Sequence, residues 1–149
     1  MAKNKRLGRK HDPSSREVRS ATTNRQMVDD VLQHCPAWRL GFIDIDHEEW
    51  GWKNIEKNNP IEVLKKLKDY ETRKWHEIRK DKKRDHSVNI DDLSTEAKKR
   101  LKQLKLDDYD SLFRFRLSAT MRIWGILDGY KFNILWLDPD HTVCPSSER

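Results

Sequence analysis

The chain is poor in the residues that usually announce a chemistry. Cysteine occurs twice in 149 residues, as Cys35 and Cys144, with no CxxC spacing. That excludes a disulfide framework and a zinc site of that type, and it fits two free thiols in a reducing cytoplasm. Glycine is scarce at five residues, and there is no glycine-rich phosphate loop, no GxSxG and no HExxH. No apolar run is long enough to span a bilayer, and residues 1–25 lack the hydrophobic segment of a secretory signal. Apolar residues reach only 35% against 38% charged, so the expectation is one cytoplasmic domain with a small core.

Tryptophan is what the chain does have. Six indoles can each bury a large area and offset the low apolar content. The net charge of +6 is also local: residues 1–25 hold eight basic side chains against Asp12 and Glu17, which accounts for the whole excess. This segment is read as a disordered basic tail. It can add salt-sensitive attraction to phosphates, or serve only as a solvated leader for a near-neutral body.

The domain is expected over residues 26–145, with 146–149 as a short tail. NRQMVDDVLQHC suggests a helix ended by Pro36, and AWRLGFIDID, residues 37–46, a first strand. Asn59-Pro60-Ile61-Glu62 predicts a capped helix start, with Ile61, Leu64, Leu67, Trp75 and Ile78 at helical spacing through about Arg79. KDKKRDH is a charged connection. His76 and His86 flank it and are read as surface histidines, and HSVNI as a short extended piece. Ser94 caps a second helix to about Leu104 with Ala97, Leu101 and Leu104 inward. Trp50-Gly51-Trp52 is assigned to packing.

LFRFRL, MRIWGIL and YKFNILWL then predict a three-stranded antiparallel meander. Asp128-Gly129 signals a two-residue turn, which would pair Leu127 with Tyr130, Gly125 with Phe132, Ile123 with Ile134 and Met121 with Trp136. Phe113, Phe115 and Leu117 join that core face. The other face collects Arg114, Arg116, Arg122, Trp124, Lys131 and Asn133, a set suited to phosphates and bases. The fold class is therefore α+β: strand, two helices, then the meander, with the helices on one face of the sheet.

The segment FRFRLSATMRIWGILDGYKFNILWLDPDHTVCP, residues 113–145, resembles the C-terminal half of RelE/ParE-superfamily toxins. In these an arginine-bearing strand, a short turn, a second strand that begins with arginine and a final apolar strand lead to a histidine-containing tail. The segment is also similar to small bacterial proteins ending in RIWGI…LWxDPxH. The resemblance implies an endoribonuclease that needs no metal or cofactor, acts on messenger RNA (often at the ribosome) and is neutralised by a cognate antitoxin. By position, Arg116 and Arg122 would clamp phosphate, bidentately, and His141 would transfer the proton. Cys144 stands where many relatives have a tyrosine. The alternative is a non-enzymatic module that binds nucleic acid or protein, as the ParE branch binds a topoisomerase, through the same arginine-rich face.

A second constellation competes. Asp44-Ile45-Asp46-His47 and Asp138-Pro139-Asp140-His141 both read D-x-D-H. If the two segments were neighbours, Asp44, Asp46, Asp138 and Asp140 could hold a divalent cation for a metal nuclease.

Overall fold

The computed structural model describes residues 30–145. The basic tail of residues 1–25, the start of the first expected helix and the short tail 146–149 lie outside these residues. Residues 30–33 are helical. After them come β1 (Ala37–Arg39), a 3-10 helix (Trp52–Asn58), α1 (Pro60–Glu71), α2 (Trp75–Ile78), β2 (His86–Asn89) and α3 (Thr95–Gln103), then the meander β3 (Ser111–Arg116), β4 (Arg122–Asp128) and β5 (Lys131–Asp138). The strands form one sheet in the order β1-β5-β4-β3-β2. β1 runs parallel to β5, and the other neighbours are antiparallel. This is an α+β fold with a mixed sheet.

The sheet is covered on both faces, not on one as the sequence reading expected. On the first face α3 lays Ala97 and Leu101 over Leu112, Trp124, Ile126, Leu135 and Trp136, with Trp50 beside them. On the second face α1 and α2 set Val63, Tyr70, Trp75 and Ile78 against Phe113, Phe115, Ile123, Phe132, Ile134 and Leu137. Residues 122–126 and 132–138 are buried without a break, the signature of strands with no solvent side. The apolar runs of β4 and β5 have no polar alternate positions to mark a solvent side, and Arg114, Arg122 and Asn133, which resemble one, are buried.

The expected strand over residues 37–46 shortens to three residues. Beyond it Leu40 is exposed, and Asp44 is drawn inward, its N–H donating to the Leu135 carbonyl at 3.0 Å. The helix expected from Asn59 to Arg79 is broken at residues 72–74 into α1 and α2. Its buried stripe is Val63 and Tyr70, whereas Ile61 and Leu64 point to solvent, a phase the apolar spacing alone did not settle. Asn59 makes no side-chain cap and takes φ 55°, and its carbonyl accepts from Val63 N. Ser94 does cap α3, accepting from Ala97 N at 3.2 Å.

The β4–β5 hairpin lies where Asp128-Gly129 placed it, but in another register. Asp128 pairs with Lys131, so Gly129 and Tyr130 are the two loop residues. Positive φ is confined to Gly129 at 65°, the pattern of a turn with glycine in the first central position. Further along, Trp124 pairs with Trp136 while Gly125 pairs with Ile134, leaving Leu135 as an extra residue. This bulge turns Trp136 onto the first face beside Trp124, away from Ile123 and Ile134.

Candidate active site

Arg114 occupies the middle of β3, with Trp124 opposite it on β4 and His86 opposite it on β2. Only 5% of it is exposed, yet all three of its nitrogens have acceptors. Nε donates to His86 Nε2 at 3.1 Å, Nη2 to the Lys83 carbonyl at 3.1 Å, and Nη1 lies 3.3 Å from His141 Nε2. A guanidinium can only donate, so both imidazoles turn a lone pair towards it. The proton of His86 then sits on Nδ1, 3.0 Å from the Ser87 carbonyl.

His141 is delivered by the turn after β5. Asp138 is fully buried, and its carboxylate accepts from Trp124 Nε1 at 3.1 Å, Thr142 N at 2.9 Å and Val143 N at 3.0 Å. Burial raises its pKa above the ordinary value, against the pull of those donors. The turn so pinned holds His141 at φ 58°, a left-handed conformation that is uncommon outside glycine but that histidine adopts more readily than most side chains. Thr142 fastens the turn outward, donating through Oγ1 to Glu49 at 2.8 Å and accepting from Trp50 Nε1 at 2.9 Å.

His86 is placed by its neighbour. The Asp85 carboxylate is buried, accepts from Arg116 N at 2.9 Å and lies 2.9 Å from the Tyr70 hydroxyl. β2 is thereby tied to the end of β3 and to α1. Burial raises the pKa of Asp85 and, with the Asp85 charge nearby, pushes Tyr70 up to about 12.

The remaining residues expected in the site are distributed differently. Arg116 and Arg122 are cross-strand partners, but both reach for the β3–β4 turn. Arg122 is buried and donates from Nη1 to the carbonyls of Ser118 at 2.9 Å, Met121 at 3.2 Å and Ala119 at 3.3 Å. Arg116, half-buried at the rim, donates from Nε to Ser118 O at 3.2 Å. Trp124 is wholly inside, and Asn133 is buried with its amide on the Ile126 carbonyl at 3.1 Å. Lys131 belongs to the hairpin end, its Nζ 5.8 Å from the centre of the Tyr130 ring. These six residues therefore do not make an open arginine-rich sheet face, because α3 and the loops around it cover that side. Arg114 and His141 do come together, and they do so around His86, which the sequence reading set aside. The signal available for His86 was its place at the start of an extended piece, just past a stretch, residues 79–85, that holds five cations and the two aspartates Asp81 and Asp85.

The D-x-D-H segments do not converge on a cation. Asp44 takes two hydrogen bonds from Arg100, Nε at 2.9 Å and Nη2 at 2.8 Å, and one from Trp136 Nε1 at 2.8 Å. Burial opposes its ionisation, but these donors and the Arg100 charge together hold its pKa below the ordinary value. His47 Nδ1 accepts from the N–H groups of Glu49 and Trp50, so its Nε2 carries the proton and donates to Glu96 at 3.2 Å. Asp46 and Asp140 face solvent. Among the described residues no group of three or more histidine, cysteine, aspartate or glutamate side chains is arranged to hold a metal, and no helix is long and apolar enough to cross a membrane. No family model, curated protein or solved structure matches the chain.

Proposed function

We propose that the protein is a RelE-like cytoplasmic toxin that cleaves the RNA backbone without a metal. The observation that carries this reading is the guanidinium of Arg114 held between the lone pairs of two imidazoles, His86 and His141. An incoming phosphate is a better partner for the guanidinium than either ring, because it offers charge and two oxygens in bidentate geometry. As the phosphate takes Arg114, both imidazoles lose a hydrogen bond and gain freedom to exchange protons. One then removes the proton of the 2′-hydroxyl, whose oxygen attacks phosphorus. The other, in its protonated form, gives a proton to the 5′-oxygen as the P–O bond breaks, leaving a 2′,3′-cyclic phosphate and a free 5′-hydroxyl. Arg114 steadies the charge that builds on the phosphoryl oxygens. Arg116 stands at the rim, where a flanking phosphate would pass, and Arg122 acts from below by holding the β3–β4 turn. On the same resemblance, a cognate antitoxin is the partner that would restrain it in the cell.

The test is RNA cleavage by the whole chain, on naked RNA and on messenger RNA in a translating extract, beside Arg114→Ala, His86→Ala and His141→Ala. Naked RNA is assayed with and without EDTA. The expected result is EDTA-resistant cutting with cyclic-phosphate ends, lost in all three variants, while RNA retention survives in the histidine variants. RNA retention with no cutting under any condition would leave a binding module. Cutting that vanishes with EDTA would move the chemistry to a metal site.

A further inference from the structure

We infer that the turn from Arg79 to Arg84 is a docking surface for the phosphate backbone of an RNA strand whose scissile bond lies at Arg114. The inference rests on the cleavage reading for the role of Arg114 and goes beyond it in assigning a second contact region. The turn carries five cations and one anion. That anion, Asp81, is occupied in shaping the turn: its carboxylate accepts from Arg84 N at 3.2 Å, and its carbonyl accepts from Arg84 N at 3.1 Å and Asp85 N at 3.2 Å. Lys80, Lys82 and Lys83 are exposed, and among the described residues none of them forms an ion pair.

Position separates this turn from an ordinary solvated charge run. It wraps the β2 edge of the sheet. At one end the Arg79 guanidinium lies 5.5 Å from the centre of the Phe113 ring, on the second face. At the other end the Lys83 carbonyl accepts directly from Arg114 Nη2. The chain that presents these three exposed ammonium groups is thus the chain that braces the phosphate-binding guanidinium. A partner reaching both must carry negative charge at regular intervals along a flexible backbone, as single-stranded RNA does. An acidic protein surface would satisfy the same cations, since a carboxylate also pairs with a guanidinium, but its charges are not spaced along one flexible backbone, and polyglutamate serves as the carboxylate comparison.

The experiment uses the full chain and its Lys82→Ala/Lys83→Ala variant. Fluorescence anisotropy measures the affinity for a 2′-O-methyl RNA twelve-mer, which cannot be cleaved through its 2′-oxygen, across a series of salt concentrations, with polyglutamate as the comparison ligand. The loss of two phosphate contacts should weaken RNA binding about tenfold at low salt and reduce the slope of log K against log salt by about 1.4. The melting temperature should stay unchanged, and polyglutamate should bind weakly to both forms. An unchanged RNA affinity and slope would overturn the inference, as would polyglutamate binding that is tighter than RNA and equally lost in the variant. Because the probe is not cut, a reduced slope beside a wild type that cleaves no RNA would keep the docking surface while the cleavage reading fell.

Discussion

Arg114 cannot be replaced by another cation without changing what its two imidazoles meet. A lysine brings one ammonium on a flexible stem where the guanidinium brings three nitrogens in a plane. Arg114→Lys should therefore lose about 10²–10³ in single-turnover cleavage, the range expected when an oriented donor to a developing charge is removed, with the fold retained in a thermal melt. Cleavage within a few-fold of wild type would show that position, not geometry, is what matters there. The Asp44–Arg100 pair makes the opposite case, a strong ion pair whose task is structural. Asp44 is buried and its pKa is lowered, so its contribution to stability is present above the ordinary aspartate range and is lost as the pH falls through the lowered value. Arg100→Ala leaves that carboxylate buried without its cation and should cost about 3 kcal/mol in urea denaturation at pH 7. The deficit should narrow on acidification, and a deficit independent of pH would contradict this account.

At the scale of elements, the β4–β5 hairpin shows what the sequence can and cannot say. Asp128-Gly129 located the turn, since few dipeptides accept positive φ so readily. It did not set the register, because the same two residues serve a turn centred on either side of the glycine. Nor does any residue advertise the bulge at Leu135, which follows from packing Trp136 beside Trp124 and Trp50. The two-sided burial was hidden for a related reason. Arg114, Arg122 and Asn133 interrupt the apolar pattern and read as solvent-facing, yet each is buried with polar partners: Arg114 on segments distant in sequence, Arg122 on the carbonyls of the adjoining β3–β4 turn and Asn133 on the Ile126 carbonyl of the neighbouring strand. Of the site, Arg114 and His141 were legible as chemistry, whereas their meeting with His86 depends on a β2–β3 pairing that no local signal encodes. The hairpin glycines can be told apart by substitution. A methyl at Gly125 would collide with the Asn133 carbonyl and the Phe132 ring, so Gly125→Ala should destabilise by about 2–3 kcal/mol. A methyl at Gly129 meets open space, and Gly129→Ala should cost about 1 kcal/mol through φ alone. Equal losses in chemical denaturation would refute the distinction.

Across the whole molecule the buried carboxylates pull stability in opposite directions with pH. Asp44 stabilises more as the pH rises, as argued above. Asp85 and Asp138 have raised pKa values, so their contributions are fully present below the ordinary aspartate range and are lost as the pH rises through the raised values. Asp85→Asn retains an acceptor for Arg116 N and removes the buried charge. Relative to this variant the wild type should gain stability between pH 7 and pH 4, and thermal melts at the two pH values give the difference directly. A gap of constant size would mean that Asp85 does not change its protonation over that range.

The order of the sheet also governs when the protein comes into being during translation. Among the described strands β1 pairs only with β5, the last of them to leave the ribosome, and the turn that holds His141 emerges later still. Until then the first strand has nothing to pair with, and Arg114 lacks one of its imidazoles. Pairings this distant in sequence form slowly, so the nascent chain passes through the ribosome, the setting proposed for its activity, before its site is assembled.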